Sequence, residues 1–120
     1  VLGLLCEGTT VIRNAERLRI KESDRIEAME TELRACGGQL ESEGGTITIH
    51  GGAGALHAPE RPLSGHNDHR IAMAAATAAC GCTAPVTVHD CACTDKSYPR
   101  FWTDLSALKT VPAAENTELE

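Results

Sequence analysis

The chain has 120 residues, a formal net charge of −6 and a pI near 5.3. That balance excludes a nucleic-acid-binding module, which needs clustered Lys and Arg and stacking aromatics, and the aromatics Tyr98, Phe101 and Trp102 share one short segment. No run approaches the ~20 apolar residues of a membrane span, and the length suits one modest core.

The chain opens on Val1 rather than Met, and its apolar first stretch, Val1 to Gly8, has the character of a helix end. A fragment of a longer polypeptide is therefore expected. Thr9-Thr10-Val11-Ile12-Arg13 is β-branched and predicts a strand. A helix follows from Ser23 as N-cap, with Asp24 and Glu27 in its first turn and Ile26, Met29, Leu33 and Cys36 on one apolar stripe. Gly37-Gly38 ends it. Gln39 to Glu43 and Thr46 to His50 alternate around Gly44-Gly45, a hairpin signal, and Gly51 to Gly65 is expected to be loop.

The next helix starts at Asn67 or Asp68 and runs to Cys80. Its Ala-rich, uncharged body, Ile71 to Ala79, is suited to burial. Pro85 to Asp90 predicts a short strand. A last helix is expected near Ser97, with Pro99 in its first turn and Phe101, Leu105 and Leu108 facing inward. Val111 to Glu120 has no apolar period and predicts a disordered acidic tail. The order is strand, helix, hairpin, helix, strand, helix, which is an α/β arrangement with helices packed on sheet.

Three short basic-acidic clusters fall at the expected helix starts: Lys21-Glu22-Ser23-Asp24-Arg25, Asn67-Asp68-His69-Arg70 and Asp95-Lys96-Ser97-Tyr98-Pro99. Free N–H groups and the positive end of the macrodipole already favour anions there. In the first cluster Glu22 shares a face with Lys21 and Arg25 and should stay ionised between them. A surface salt-bridge cluster is the alternative. In the second, Arg70 suits a bidentate grip on carboxylate or phosphate, and neighbouring His69 could donate to the same ligand. The alternative is that Asp68 merely caps the helix and Arg70 pairs with a nearby acid. In the third, Lys96 is a compact cation suited to phosphate. Converging, these cations would hold a small polyanion such as a phosphorylated carboxylic acid. The six cysteines, with the pairs Cys80/Cys82 and Cys91/Cys93, suggest reduced thiols, with a metal site or disulfides as alternatives.

The stretches Leu18 to Ile26, Asn67 to Ala74 and Asp95 to Phe101 resemble, in order and spacing, the C-terminal part of the EPSP synthase family. The resemblance runs from about Gly8 to Leu108. It implies an α/β fold in which residues 1–110 carry parts of two βαβαββ units. It also implies transfer of the enolpyruvyl group of phosphoenolpyruvate to the 5-hydroxyl of shikimate 3-phosphate, releasing phosphate. By position, Arg25, Arg70 and Lys96 match the family's phosphoenolpyruvate-binding cations, and Lys21 matches its shikimate 3-phosphate contact. Glu22 matches the catalytic carboxylate that handles the methylene proton, and His69 a histidine beside the same site. No cofactor and no metal is implied. The family's catalytic aspartate and N-terminal domain have no counterpart in this sequence. The isolated chain is therefore expected to be inactive, to need that domain as partner, and to expose an apolar face around Ile71–Ala79 that promotes self-association. The family also implies a cytoplasmic location and competition by glyphosate at the phosphoenolpyruvate site.

Overall fold

The computed structural model describes residues 1–108; the tail expected over 111–120 lies outside the described residues. Helices pack on sheet, as the sequence predicts, with additions at each end. A short helix α1 (Leu2–Leu5) leads into strand β1 (Gly8–Ile12), and a 3₁₀ turn (Glu16–Ile20) leads into helix α2 (Arg25–Ala35). The hairpin strands β2 (Gln39–Glu43) and β3 (Thr46–Gly51) follow. All pairing in this sheet is antiparallel, in the order β1-β3-β2, with Ile12 opposite Ile47 and Leu40 opposite Ile49.

The stretch expected to be loop contains a strand that composition hid. Leu63–Ser64 (β4) pairs in parallel with Val88–His89 (β5), on either side of helix α3 (His69–Ala79). Leu56 and Leu63 are buried there, so the Gly- and Pro-rich segment contributes to the core. A second 3₁₀ turn (Cys91–Lys96) and helix α4 (Phe101–Leu108) complete the described chain.

The α2 stripe packs as its spacing predicts: Ile26, Leu33 and Cys36 are buried, and Met29 lies against the core. Full burial contributes about 1.5–3 kcal/mol each for Ile26 and Leu33. The helix closes in a Schellman motif, with Gly38 N–H donating to Leu33 O (2.8 Å) and Gly37 N–H to Arg34 O (2.9 Å). Gly37 takes the left-handed conformation this requires, at φ +83°.

Gly51 marks the closest approach of α1 to the sheet. A Cβ there would overlap the carbonyl oxygens of Gly3 and Cys6, which are backbone and have little room to move. Gly51→Ala is therefore expected to cost about 1–3 kcal/mol as an overpacking defect, read as a lower denaturant midpoint at unchanged m-value.

Three expectations need correction. The last helix starts at Phe101, not near Ser97. Pro99 disfavours helical backbone at Tyr98, and this pushes the start downstream. Leu108 is 79% exposed rather than inward. The helix is instead pinned through Trp102, whose indole N–H donates to Cys91 O and Thr94 Oγ1, both at 3.1 Å. The apolar face expected around Ile71–Ala79 is covered, with Ile71, Ala72, Ala75, Ala76 and Ala78 buried because α2, β4, β5 and the second 3₁₀ turn surround α3. Exposed large apolar groups include Leu2, Leu5, Val11 and Ile12 on α1 and β1, and Ile20 at the end of the first 3₁₀ turn.

Candidate functional site

The starts of α2 and α3 are fastened together by a buried carboxylate. Asp68 caps α3, accepting from Arg70 N–H at 3.0 Å, and its side chain is fully buried. It also accepts from Arg25 Nε (2.8 Å), Arg25 Nη2 (3.3 Å) and Ser23 Oγ (2.8 Å) on the opposite helix start. Ser23 is therefore not the cap of α2. Asp24 takes that place, accepting from Glu27 N–H at 3.0 Å, because the Ser23 hydroxyl is committed to Asp68. Burial alone would push the Asp68 carboxyl upward. The bonds from Arg25, Ser23 and the Arg70 amide outweigh it and hold the carboxyl below its ordinary value.

Arg25 completes a chain of contacts by donating through Nη2 to Glu22 Oε2 at 2.6 Å. The Glu22 carboxyl is also held low, mainly by its own backbone N–H and further by the Arg25 charge. Lys21 sits beside it, exposed, with no ion pair among the described residues.

The second cluster divides its roles. His69 is largely buried, with Nδ1 at 3.9 Å from Asp68 Oδ1, and that nitrogen has no hydrogen-bond partner among the described residues. Among the described residues the Arg70 guanidinium does not pair with a nearby acid. It is exposed and makes no ion pair among the described residues. Arg25 and Arg70 both line one largely apolar cavity of about 300 Å³, with Ile26, Met29 and Ile71 in its wall.

Lys96 is not at the start of an α-helix. It ends the second 3₁₀ turn, and Pro99 keeps α4 from beginning beside it. Its Nζ still reaches the second cluster, donating to Asn67 O at 3.2 Å. His66 and Asn67 stand just before Asp68 at φ +52° and +51°, two left-handed residues in succession. Such conformations cost about 1–3 kcal/mol each and persist where surrounding bonds enforce them.

The structure brings five of the six candidates together. Glu22 and Arg25 meet His69 and Arg70 across Asp68, and Lys96 joins through Asn67. Lys21 is near only by sequence. Sequence reasoning saw Asp68 as a cap and missed its grip on Arg25, a contact across 43 residues that no local pattern encodes. It also missed Glu32, buried between Met29 and Cys36 on the apolar stripe. There the signal was present: Glu32 falls three residues after Met29 and four before Cys36.

Because the folded Asp68 carboxyl sits below its unfolded value, its contribution to stability is fully present above the ordinary Asp pKa of about 4. It is lost as pH falls through the folded value. Melting temperature is therefore expected to fall below about pH 4, and to fall less steeply in Asp68→Asn, which starts lower at neutral pH.

All six cysteines are free thiols, and burial pushes Cys36 up to about 11. Among the described residues no group of three or more His, Cys, Asp or Glu is placed to hold a metal.

A model of the family described as EPSP synthase (3-phosphoshikimate 1-carboxyvinyltransferase) matches residues 1–105. The 3-phosphoshikimate 1-carboxyvinyltransferase of Clostridium acetobutylicum is 49% identical over 109 residues, covering 90% of this chain and 24% of the relative. That of Methanocella arvoryzae is 44% identical over 110 residues, covering 90% of the chain and 25% of the relative. The solved structure of EPSP synthase from Acinetobacter baumannii superposes with a TM-score of 0.79 at 31% identity, over 88% of this chain and 24% of that one. The chain thus spans about a quarter of the length of the relatives it matches. By sequence and by fold, the chain belongs to the EPSP synthase family.

Proposed function

We propose that this segment supplies the phosphoenolpyruvate side of the active site of a 3-phosphoshikimate 1-carboxyvinyltransferase. The enzyme moves the enolpyruvyl group to the 5-hydroxyl of shikimate 3-phosphate and releases phosphate. The observation that carries this reading is the Asp68 clamp, which holds the α2 and α3 starts together, with Arg25 and Arg70 lining one cavity and Arg70 making no ion pair among the described residues.

Phosphoenolpyruvate carries a carboxylate and a phosphate, so its binding requires several cations with matched geometry. Arg25, Arg70 and Lys96 fill that role. Lys21, exposed one residue before Glu22, takes the 3-phosphate of the second substrate. Glu22 handles the methylene proton: it delivers the proton as the 5-hydroxyl oxygen bonds to the central carbon, and removes it as phosphate leaves. At rest Glu22 is ionised and bound to Arg25. An anion that takes Arg25 Nη2 breaks that bond and brings negative charge near, and both effects raise the Glu22 pKa toward that of a proton donor. His69, next to Arg70 in the first turn of α3, is in this reading a donor to the same substrate. Holding both substrates in register removes several kcal/mol of the barrier.

The reaction also needs the N-terminal domain of a family polypeptide, with a base for the 5-hydroxyl, and the exposed α1 and β1 are where the remaining chain packs. No helix among the described residues is long and apolar enough to cross a membrane; the acidic composition disfavours a nucleic-acid partner, and the free cysteines accord with a cytoplasmic location. Glyphosate would compete for the same cations. The test is phosphate release by a polypeptide of the relatives' full length that carries this segment, with both substrates and with each alone. Release that needs both supports the transferase. Binding of phosphoenolpyruvate without release would leave only an anion-binding module.

A further inference from the structure

Glu32 is a buried acid on α2 with no part in the chemistry above. Its side chain is 4% exposed and fully engaged. Oε2 accepts from Arg61 Nη1 and from Ser64 N–H, both at 3.0 Å, and Oε1 bonds His66 Nε2 at 2.7 Å. Burial would push the Glu32 carboxyl up, but the bonds from His66, Arg61 and the Ser64 amide outweigh it.

His66 is the first of the two left-handed residues before Asp68. A residue rarely adopts that backbone unless something holds it. Along this turn, His66 N–H bonds Ser64 Oγ (3.1 Å), Asp68 N–H bonds Gly65 O (2.9 Å), and Asn67 O receives Lys96. Glu32 grips the turn twice, at Ser64 and at His66, from the same helix whose first residue is Arg25. One rigid element therefore carries Arg25 at one end and, two turns along, the carboxylate that shapes the approach to Asp68, His69 and Arg70.

We infer that Glu32 is a positioning residue for the phosphoenolpyruvate site: through His66 it holds the left-handed turn that sets the spacing of the α2 and α3 starts. The inference rests on the function proposed above, and Glu32 itself touches no substrate. Such second-hand placement matters because displacing a reacting group by about 1 Å can cost roughly 10²-fold in rate.

The test uses a full-length family polypeptide carrying this segment, with Glu32→Gln, His66→Ala and Arg61→Ala. Glu32→Gln and His66→Ala are expected to lower kcat/KM for phosphoenolpyruvate by about 10- to 100-fold, with the KM for shikimate 3-phosphate held. Arg61→Ala removes a Glu32 partner outside the turn and is expected to leave those constants near wild type. If Glu32→Gln does not fold, His66→Ala carries the test, since its ring is 32% exposed and tolerates truncation. Wild-type constants in Glu32→Gln and His66→Ala would overturn the inference and leave the proposed function standing. An equal loss in Arg61→Ala would overturn it too, by showing a general loss of packing. Wild-type protein without phosphoenolpyruvate-dependent release would remove the proposed function itself, and this inference with it, before any variant is compared.

Discussion

Arg70→Ala, in a full-length family polypeptide, is expected to raise the KM for phosphoenolpyruvate by about 10²-fold while leaving the melting temperature unmoved. The two arginines look equivalent in sequence, but their surroundings separate them. Arg70 is exposed and pairs with no acid among the described residues, so its removal strands nothing. What is lost is a charge-assisted grip on substrate, ~1.5–3 kcal/mol in ordinary settings and more where water is excluded. Arg25→Ala is expected to show a similar loss of binding together with marked destabilisation. Truncating Arg25 leaves Asp68 buried without its cation, a change that costs about 3–5 kcal/mol. Steady-state kinetics and thermal melts on the two variants check both halves. Equal melting temperatures would show that the Asp68 clamp contributes little to the fold.

Glu22→Gln is expected to lower kcat by about 10²–10⁴-fold, the usual contribution of a positioned acid or base, with the KM for phosphoenolpyruvate nearly unchanged. Glutamine can still accept from Arg25 but cannot carry a proton between carbon and solvent. Glu22 is exposed and its ion pair lies at the surface, so the fold should not respond. A kcat near wild type would reduce Glu22 to a partner of Arg25 and move the proton transfer to another group, His69 being adjacent to the clamp.

The sequence made the periodic elements legible. The α2 stripe, the Gly37-Gly38 stop, the β2–β3 hairpin and the Asp68-initiated α3 each follow from spacing or from a residue with a specific backbone role. The elements it hid are those made by distant partners. β4 has two residues and exists only because β5 lies beside it. The Ser23 hydroxyl looked like a local cap until Asp68 claimed it from 45 residues away. Pro99 was read as tolerated in a first turn, whereas its restriction of Tyr98 decided where α4 begins. The same division holds at the site. Charge clusters at helix starts were readable, and their convergence was expected, but the buried Asp68 that joins them and the buried Glu32 beneath the turn depend on contacts spanning 43 and 34 residues. Lys21 shows the opposite case, a residue adjacent in sequence that makes no ion pair within the described segment.

The most direct measurement is a crystal structure of a full-length family polypeptide carrying this segment, with phosphoenolpyruvate and shikimate 3-phosphate bound. The account predicts oxygens of the phosphoenolpyruvate group at hydrogen-bond distance, about 3 Å, from the guanidinium groups of Arg25 and Arg70 and from Lys96 Nζ. It also predicts that Arg25 keeps its bond to Asp68 and releases Glu22. Phosphoenolpyruvate seated elsewhere, with Arg70 still in solvent and Glu22 still on Arg25, would contradict it.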